Sequence, residues 1–228
     1  MTIEPVAYFK SPFTSKFGIP RQSGIVRKLR GEIRFTDKYR RAEALKGMEG
    51  FNYLWLIWEF SANGRESSAW KATVRPPRLG GNTTMGVFAT RSPFRPNPLG
   101  LSCVKIEEVV TEGPDAPYIK VLGGDLMDGT PIYDIKPYLT YADSHPDAAC
   151  GFVDNSEWKP LEVIIPDDIM EELKRSLDQN EIDALREALA QDPRPHYQND
   201  PSKVYGMPFL ELDVHFSIDG NTLTVKGL

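Results

Sequence analysis

The chain has 228 residues, 40% of them hydrophobic, and a formal net charge of −5 at pH 7. This composition is typical of a globular protein with one sizeable core, or with a main domain and a smaller appendage. No apolar stretch approaches the length of a membrane-spanning helix, and "MTIEPVAYFKSPF" lacks the basic start and apolar run of a signal peptide. We therefore expect neither a membrane protein nor a secreted one.

Short apolar runs separated by glycine and proline predict strands through the first part of the chain. They cover residues 3–9, 31–36, 51–60, 85–90, 101–110 and 118–126. One segment there, "KYRRAEALKG" at 38–47, has the pattern of a helix. Without helices between the strands the sheet is not a parallel doubly wound one, so we predict a mostly β fold, with an antiparallel barrel or sandwich. This also excludes the usual nucleotide-binding fold.

The pattern changes after about residue 146. "DDIMEELKRSL" and "NEIDALREALAQD" carry apolar residues at helical spacing and acids in their first turns, which predicts two short helices. "LELDVHFSIDGNTLTVKGL" alternates around a D-G-N turn and predicts a hairpin. The sequence therefore predicts an antiparallel β-barrel main domain over 1–145 and a smaller α+β domain over 146–228.

Cysteines and histidines argue against a disulfide scaffold and a metal site. Cys103 and Cys150 match no paired metal-ligand spacing, and a secreted disulfide scaffold needs more cysteines. His145, His196 and His215 lie far apart, which disfavours zinc. We expect a reduced, cytoplasmic protein without a metal.

Charge is unevenly distributed along the chain. Residues 1–145 carry a net charge of +5, whereas residues 146–228 carry −10. Between residues 65 and 95 one acid, Glu66, accompanies six basic residues: Arg65, Lys71, Arg75, Arg78, Arg91 and Arg95. With Trp70 and Phe94 nearby, this patch suits a polyanion such as RNA, although a solvated charged face has the same composition.

The segment "GVFATRSPFRPNPLGLS" at 86–102 is predicted to be an ordered loop. Its three prolines remove backbone donors and disfavour helical geometry in the preceding residues. A loop that has lost conformational entropy in advance, and from which Arg91 and Arg95 project, is typical of a binding site. A rigid surface connection with solvated arginines is the alternative.

Three further segments are more specific than turn formation requires. The first, 11–24, holds Lys16, Arg21 and Gln22, and the third, 190–200, has the sequence "AQDPRPHYQND". The second, 125–144, holds Asp125, Asp128 and Asp134 close to Lys136, Tyr138 and Tyr141. Taken singly, each is also explained by ordinary turn chemistry.

Taken together, these segments resemble the TsaA/TrmO (UPF0066) family over nearly the whole chain. The family signature G-x-F-A-x-R-S-x-x-R-P-N is matched from Gly86 to Asn97. "SPF..KFGIPRQ", "VRPPRLGGN", "DLMDGTPIYDIKPY" and "QDPRP.Y" also resemble the other blocks of the family, in the right order. The segment 52–62 departs from the pattern, because it lacks a histidine before "LWL" and a His-Gln after it.

The resemblance implies a β-barrel methyltransferase that uses S-adenosylmethionine and acts on tRNA. Its substrate would be the threonylcarbamoyl-modified adenosine 3′ of the anticodon, methylated on the exocyclic nitrogen. The resemblance also implies a homodimer with the cofactor near the subunit interface. The implied cofactor contacts are Pro20, Arg21, Gln22, Ser61, Ala62, Arg91, Leu101, Asp125, Leu126, Met127, Asp128, Gly129 and Thr130.

The chemistry of these side chains agrees in outline. Arg91 or Arg21 can pair with the carboxylate of the cofactor, and Asp128 or Asp125 can accept from ribose hydroxyls or offset the sulfonium charge. Asp134 and Tyr138 are candidates for the base or orienting group, with Lys136 as a neighbour that tunes them. The expected RNA contacts are Arg65, Lys71, Arg75, Arg78 and Arg95, with Arg194 and Tyr197 from the second domain.

Two other functions remain open on the sequence alone. The first is a non-catalytic RNA-binding module whose basic barrel holds an anticodon loop. The second is a small-molecule methyltransferase, in which the arginines bind an anionic metabolite.

Overall fold

The computed structural model describes residues 2–62, 70–76, 79, 83–155, 159–194, 198 and 200–228. Its first part contains eight strands: β1 (Ala7–Lys10), β2 (Arg30–Phe35), β3 (Tyr53–Glu59), β4 (Thr73–Val74), β5 (Met85–Gly86), β6 (Leu99–Val110), β7 (Tyr118–Leu122) and β8 (Thr130–Pro137). Six of them close a barrel in the order β1-β2-β7-β6-β3-β8, and every pair is antiparallel. The predicted antiparallel barrel is confirmed.

The barrel has its own apolar core because its strands alternate buried and exposed residues. On β3, Leu54, Leu56 and Trp58 point inward, and they meet Ile33 and Ile132 from other strands. On β6 the inward positions hold Gly100, Ser102 and Val104, so one polar side chain enters this core. The short pair β4–β5 forms a separate two-stranded sheet outside the barrel.

The second part of the chain has helices on a small sheet. Its helices are α2 (Asp167–Ser176) and α3 (Gln179–Ala190), after a single turn, α1 (Thr140–Asp143). The sheet has the order β10-β11-β12-β9, with β9 (Glu162–Ile164), β10 (Tyr205–Phe209), β11 (Leu212–Asp219) and β12 (Thr222–Gly227). The two predicted helices and the hairpin are confirmed; the sequence analysis missed β9 and β10.

The segment between β1 and β2 belongs to both parts of the molecule. Phe13, Val26 and Leu29 are buried in the apolar core of the second part, where the rings of Phe13 and Phe209 meet edge to face at 5.5 Å. Arg30 Nη1 lies 2.5 Å from Asp178 Oδ2, and further polar contacts to α3 flank it. Residues 11–30 are therefore held between the barrel and the α+β unit.

Two predicted elements are wrong. Residues 38–47 form no α-helix: a four-residue 3-10 turn covers Ala42–Leu45, and it buries Leu45 alone. A helix of that length needs an apolar face packed against a core, and one buried side chain does not provide it. The predicted strand 85–90 ends at Gly86, because Val87–Ala89 turn into a 3-10 helix that enters the proline loop. Among the described residues, no helix has the length and apolarity to cross a bilayer.

Candidate functional site

Three of the predicted segments meet at one end of the barrel. Arg91 of the proline loop donates a hydrogen bond to Oε1 of Gln22 in the 11–24 segment. The hydroxyl of Ser23 accepts from the backbone N–H of Cys103 at 3.2 Å, which ties the same segment to β6. Asp125 follows β7 in the chain; its carboxylate accepts from the backbone N–H of Ser23, and the charge of Arg91 acts on it. We call Gln22, Arg91 and Asp125 the convergence cluster.

Asp125 is the acid of this cluster, and its pKa is shifted by its surroundings. Its Oδ1 accepts from Ser102 Oγ at 2.5 Å, and the backbone N–H of Ser23 also donates to the carboxylate. Burial raises the pKa of Asp125 to about 6, while the hydrogen bonds and the charge of Arg91 act in the opposite direction. At neutral pH this carboxylate is therefore mostly ionised, but it titrates close to the physiological range.

Ser102 is itself held by a buried indole. Trp58 Nε1 donates to Ser102 Oγ at 2.9 Å, and the two side chains are 6% and 1% exposed. Trp58 faces Gly100 across the β3–β6 pair, and a Cβ on Gly100 would lie 2.3 Å from the indole. The absent side chain lets the ring lie flat against β6, within reach of the hydroxyl.

The turn from Asp125 to Thr130 is fixed by the first strand and its loop. The backbone N–H groups of Asp128 and Gly129 donate to the carbonyls of Phe13 and Phe9 at 2.9 and 2.8 Å. Asp128 Oδ1 accepts from the N–H of Ser11 at 2.9 Å. Thr130 Oγ1 donates to the carbonyl of Met127 at 2.7 Å. The turn is rigid, which suits backbone contacts to a ligand.

Leu126 lies in the same turn, but its side chain is buried in the barrel core. It can contribute to a ligand site through its backbone.

The other predicted cofactor residues surround the cluster at different depths. Pro20 is buried, and Arg21 Nη2 donates to the carbonyl of Asp192, just after α3, at 3.4 Å. Ser61 and Ala62 follow β3, and the N–H of Phe60 donates to the carbonyl of Pro98 at 2.8 Å, which brings this strand end beside the proline loop.

Leu101 is 58% exposed on the outer face of β6. It therefore offers an apolar side chain to solvent next to the cluster.

The three candidate catalytic side chains lie on the outside of the barrel wall. Asp134 and Lys136 of β8 form an ion pair of 2.8 Å, and this hydrogen bond raises the pKa of Lys136. Tyr138 packs with its ring centroid 5.8 Å from that of Trp55. Asp134 and Leu101 both pair with Ile57 of β3, so they are two strands apart, about 10 Å.

The predicted RNA contacts are distributed over several surfaces. Lys71 and Arg75 are exposed and flank β4. Arg95 is half-buried and donates to the carbonyls of Thr90 and Val87 at 2.7 and 3.2 Å, so it fixes the proline loop. Arg194 pairs with Asp192 and is 14% exposed. Arg65, Arg78 and Tyr197 lie outside the described residues.

Two exposed aromatic rings stand beside Lys71 and Arg75. Trp70 and Phe88 are 53% and 73% exposed, and their ring centroids are 6.2 Å apart. The N–H of Val87 donates to the carbonyl of Ala72 at 2.9 Å and so brings the two chain segments together. We call Trp70, Lys71, Arg75 and Phe88 the aromatic-basic face.

Sequence reasoning missed Trp58 and Ser102. A signal was available: in "LGLSCVKIEE" the alternation places Ser102 among inward-facing positions, where a lone hydroxyl needs a buried partner. Nothing in the sequence identifies that partner, because the β3–β6 register decides it. In the ranges that the structure describes, no group of three or more His, Cys, Asp or Glu side chains could hold a metal ion.

Two family models match most of the chain. A family model for the tRNA-methyltransferase O N-terminal domain matches residues 8–144, and one for the TrmO C-terminal domain matches residues 158–228. The chain belongs to the TrmO family.

Similar proteins cover nearly the same length. The chain is 39% identical over 220 residues to the tRNA (adenine(37)-N6)-methyltransferase of Escherichia coli. This match covers 94% of this chain and 92% of that protein. It is 38% identical over 222 residues to a putative S-adenosylmethionine-dependent methyltransferase of Pseudomonas aeruginosa, with 94% and 91% coverage. A crystal structure of TrmO from Pseudomonas aeruginosa superimposes with a TM-score of 0.78 at 31% identity, covering 100% of this chain and 97% of that one.

Proposed function

We propose that this chain is an S-adenosylmethionine-dependent tRNA methyltransferase that methylates the exocyclic nitrogen of adenosine 37, next to the anticodon. The observation that carries the proposal is the convergence cluster: Gln22, Arg91 and Asp125 come from three distant segments and meet beside the rigid 125–130 turn. Two relatives that match along more than nine-tenths of the chain support the proposal: the name of one states this tRNA reaction, and the name of the other states the cofactor.

The residues of the cluster fit S-adenosylmethionine. The cofactor presents a carboxylate, a ribose diol, an adenine edge and a sulfonium, and the site offers a cation, a half-buried acid and fixed backbone groups. Arg91 can pair with the carboxylate, and Asp125 can accept from hydroxyls or face the sulfonium charge. The other proposed cofactor contacts are Pro20, Arg21, Ser61, Ala62 and the 125–130 turn. When bound, the cofactor supplies an electrophilic methyl group.

The main contribution of these residues to the reaction is to position the methyl donor and the accepting nitrogen. Methyl transfer is an in-line displacement, and fixing the two reactants accounts for several kcal/mol of such barriers. The accepting nitrogen is conjugated with the purine and with a carbamoyl carbonyl, so it becomes a good nucleophile once its proton is removed. Asp134 acts as the general base that takes this proton, or it orients the adenine together with Tyr138. Lys136 holds the Asp134 carboxylate in place through their ion pair.

A second subunit completes the proposed site. Leu99 and Leu101 are 39% and 58% exposed on β6, next to the convergence cluster. The two leucines form a small apolar patch, and contact with a two-fold partner would cover both. In such a dimer, the proposed roles of Asp134 and Tyr138 require that the outer wall of one barrel faces the cluster of the other.

The aromatic-basic face receives the anticodon loop. Lys71 and Arg75 neutralise phosphates, and the exposed rings of Trp70 and Phe88 stack on unpaired bases. Residues 146–228 carry a net charge of −10, so most of that surface lies away from RNA. In this assignment residues 1–145 are the catalytic domain, residues 146–228 are a small α+β domain whose core also takes in side chains of the 11–30 segment, and the protein works in the cytoplasm.

Methyl incorporation into tRNA tests the proposal. One tRNA is supplied with and without the threonylcarbamoyl group, together with radiolabelled S-adenosylmethionine. We expect methylation of the modified tRNA, because a pocket that pairs with the threonyl carboxylate leaves buried partners unsatisfied when the group is absent. Equal methylation of both tRNAs would show that the enzyme does not require the threonylcarbamoyl group, and the proposed substrate would be wrong. Cofactor binding without methylation of either tRNA would favour a small-molecule methyltransferase. Binding of tRNA without binding of the cofactor would favour a non-catalytic RNA-binding module.

A further inference from the structure

A buried hydrogen-bonded chain connects the barrel core to the convergence cluster. Trp58 Nε1 donates to Ser102 Oγ at 2.9 Å, and Ser102 Oγ donates to Asp125 Oδ1 at 2.5 Å. Both donors are at least 94% buried, on neighbouring strands of one closed barrel. The family resemblance gave neither residue a role.

The order of donors in this chain is fixed by chemistry. An indole N–H donates and never accepts, and the serine hydroxyl has one proton to give. Because Trp58 occupies an acceptor position of Ser102, the hydroxyl proton is directed toward Asp125. These two hydrogen bonds therefore favour the ionised form of Asp125 and hold its carboxylate in one orientation.

Other neighbours of Asp125 also favour its ionised form. The backbone N–H of Ser23 donates from the 11–24 segment, and Arg91 of the proline loop acts through its charge. Arg91 is also held by Gln22, so its guanidinium has a second partner. The hydroxyl of Ser102 is the neighbour supplied by the barrel wall.

We propose that Ser102 and Trp58 are positioning residues of the methyl-donor site: they act through Asp125, hold its carboxylate charged and oriented, and so set the affinity for S-adenosylmethionine. This rests on the proposed function, in which Asp125 contacts the cofactor. Loss of the Ser102 hydroxyl leaves the half-buried carboxylate with one hydrogen-bond donor fewer, which makes its ionised form less stable. Cofactor binding then requires a higher pH.

The test measures S-adenosylmethionine affinity by calorimetry between pH 5.5 and 8.5 in the full-length protein. Variants are Ser102→Ala and Trp58→Phe, with Ser217→Ala on β11 as the matched control. We expect the pH midpoint of binding to rise by about one unit in Ser102→Ala, in line with the loss of a hydrogen bond to a charged group. At pH 6.5 the affinity should fall at least about three-fold, and at pH 8.5 it should approach that of the wild type. Trp58→Phe should shift the midpoint in the same direction by a smaller amount.

A second measurement follows Asp125 without any cofactor. Carbon-13 NMR of labelled aspartate carboxyls gives its titration midpoint, with the signal assigned by Asp125→Asn. We expect the midpoint to rise in both variants and to stay unchanged in Ser217→Ala. Midpoints equal to that of the wild type in folded Ser102→Ala and Trp58→Phe would overturn the inference. Wild-type protein that binds no S-adenosylmethionine, with the NMR shifts as expected, would overturn the proposed function instead.

Discussion

The guanidinium of Arg91 donates a hydrogen bond to the side chain of Gln22, 69 positions earlier in the chain. Neither residue lies on a helix or a strand, so two loops that the barrel brings together fix each other. An arginine held in this way has lost rotamer freedom before a ligand binds, which lowers the entropic cost of binding. The pair is therefore the first place to test the proposed cofactor site.

Arg91→Ala should weaken S-adenosylmethionine binding by about ten- to a hundred-fold, because a hydrogen bond to a charged group is worth about 1.5–3 kcal/mol. Calorimetry measures the affinity, and Arg41→Ala, an exposed arginine elsewhere on the barrel part, is the control. Unchanged affinity in folded Arg91→Ala protein would remove this residue from the site.

Leu101→Asp should dissociate the proposed homodimer and reduce cofactor binding with it, because a charge at an apolar interface is left without a partner. Sedimentation velocity at micromolar concentration measures the assembly. Ile164→Asp, at a 44% exposed position on β9, serves as the control. A wild-type monomer that binds the cofactor with full affinity would contradict the shared site.

Lys71→Glu with Arg75→Glu should weaken tRNA binding and flatten its salt dependence. Each phosphate contact contributes about 0.7–0.9 to the slope of log affinity against log salt, so losing two contacts lowers the slope by about 1.5. Filter binding over a salt series gives the slope, and cofactor affinity should not change. A slope equal to that of the wild type would place the RNA on another surface.

Asp125→Asn should stabilise the folded protein above pH 6. The folded pKa of Asp125 is raised to about 6 from an ordinary value of 3.8, so the folded state takes up more protons than the unfolded state in that range. The ionised group therefore lowers stability as pH rises from about 4 to 6, and the full cost of at most about 3 kcal/mol is present at pH 7 and above.

Urea denaturation at pH 5 and pH 8 measures this effect. The gain in unfolding free energy from Asp125→Asn should be larger at pH 8 than at pH 5, whereas Ser217→Ala, which removes no titratable group, should show no such difference. Equal gains at the two pH values would show that burial does not disfavour the charge of Asp125. The same variant should lose cofactor affinity, so stability and binding move in opposite directions.

Phe13→Ala should destabilise the α+β unit, although Phe13 lies near the start of the chain. The ring is fully buried in the second core and packs on Phe209. Truncation of a buried phenylalanine costs about 3–5 kcal/mol. Denaturant unfolding gives the loss, with Phe94→Ala, at a 67% exposed position, as the control. Equal stability of the two variants would contradict the shared packing of residues 11–30.

Local patterns in the sequence predicted much of this fold. The alternation of "LSCVKIEEVV" gave β6, and the acids and apolar spacing of 167–192 gave both helices. The family resemblance named Gln22, Arg91 and Asp125, and the structure brings these three together. In each case the information lies within a few residues or within a recognisable motif.

Contacts that depend on register were beyond prediction. The pairing of β3 with β6 places Trp58 opposite Gly100 and within reach of Ser102, and no local pattern encodes that pairing. The segment 38–47 has helical spacing, yet it lacks an apolar surface to pack on and forms a short 3-10 turn. Propensity was overridden there by the absence of tertiary contacts.

The packing of residues 11–30 against the α+β unit limits how this chain can be divided. A fragment cut at residue 146 would keep Phe13, Val26 and Leu29 and lose the core that covers them. Three large apolar side chains would then face water on the segment that carries Arg21 and Gln22, which favours aggregation. The isolated barrel therefore needs polar residues at those three positions. A minimal catalytic unit has to be obtained by redesigning this segment, because truncation alone would expose it.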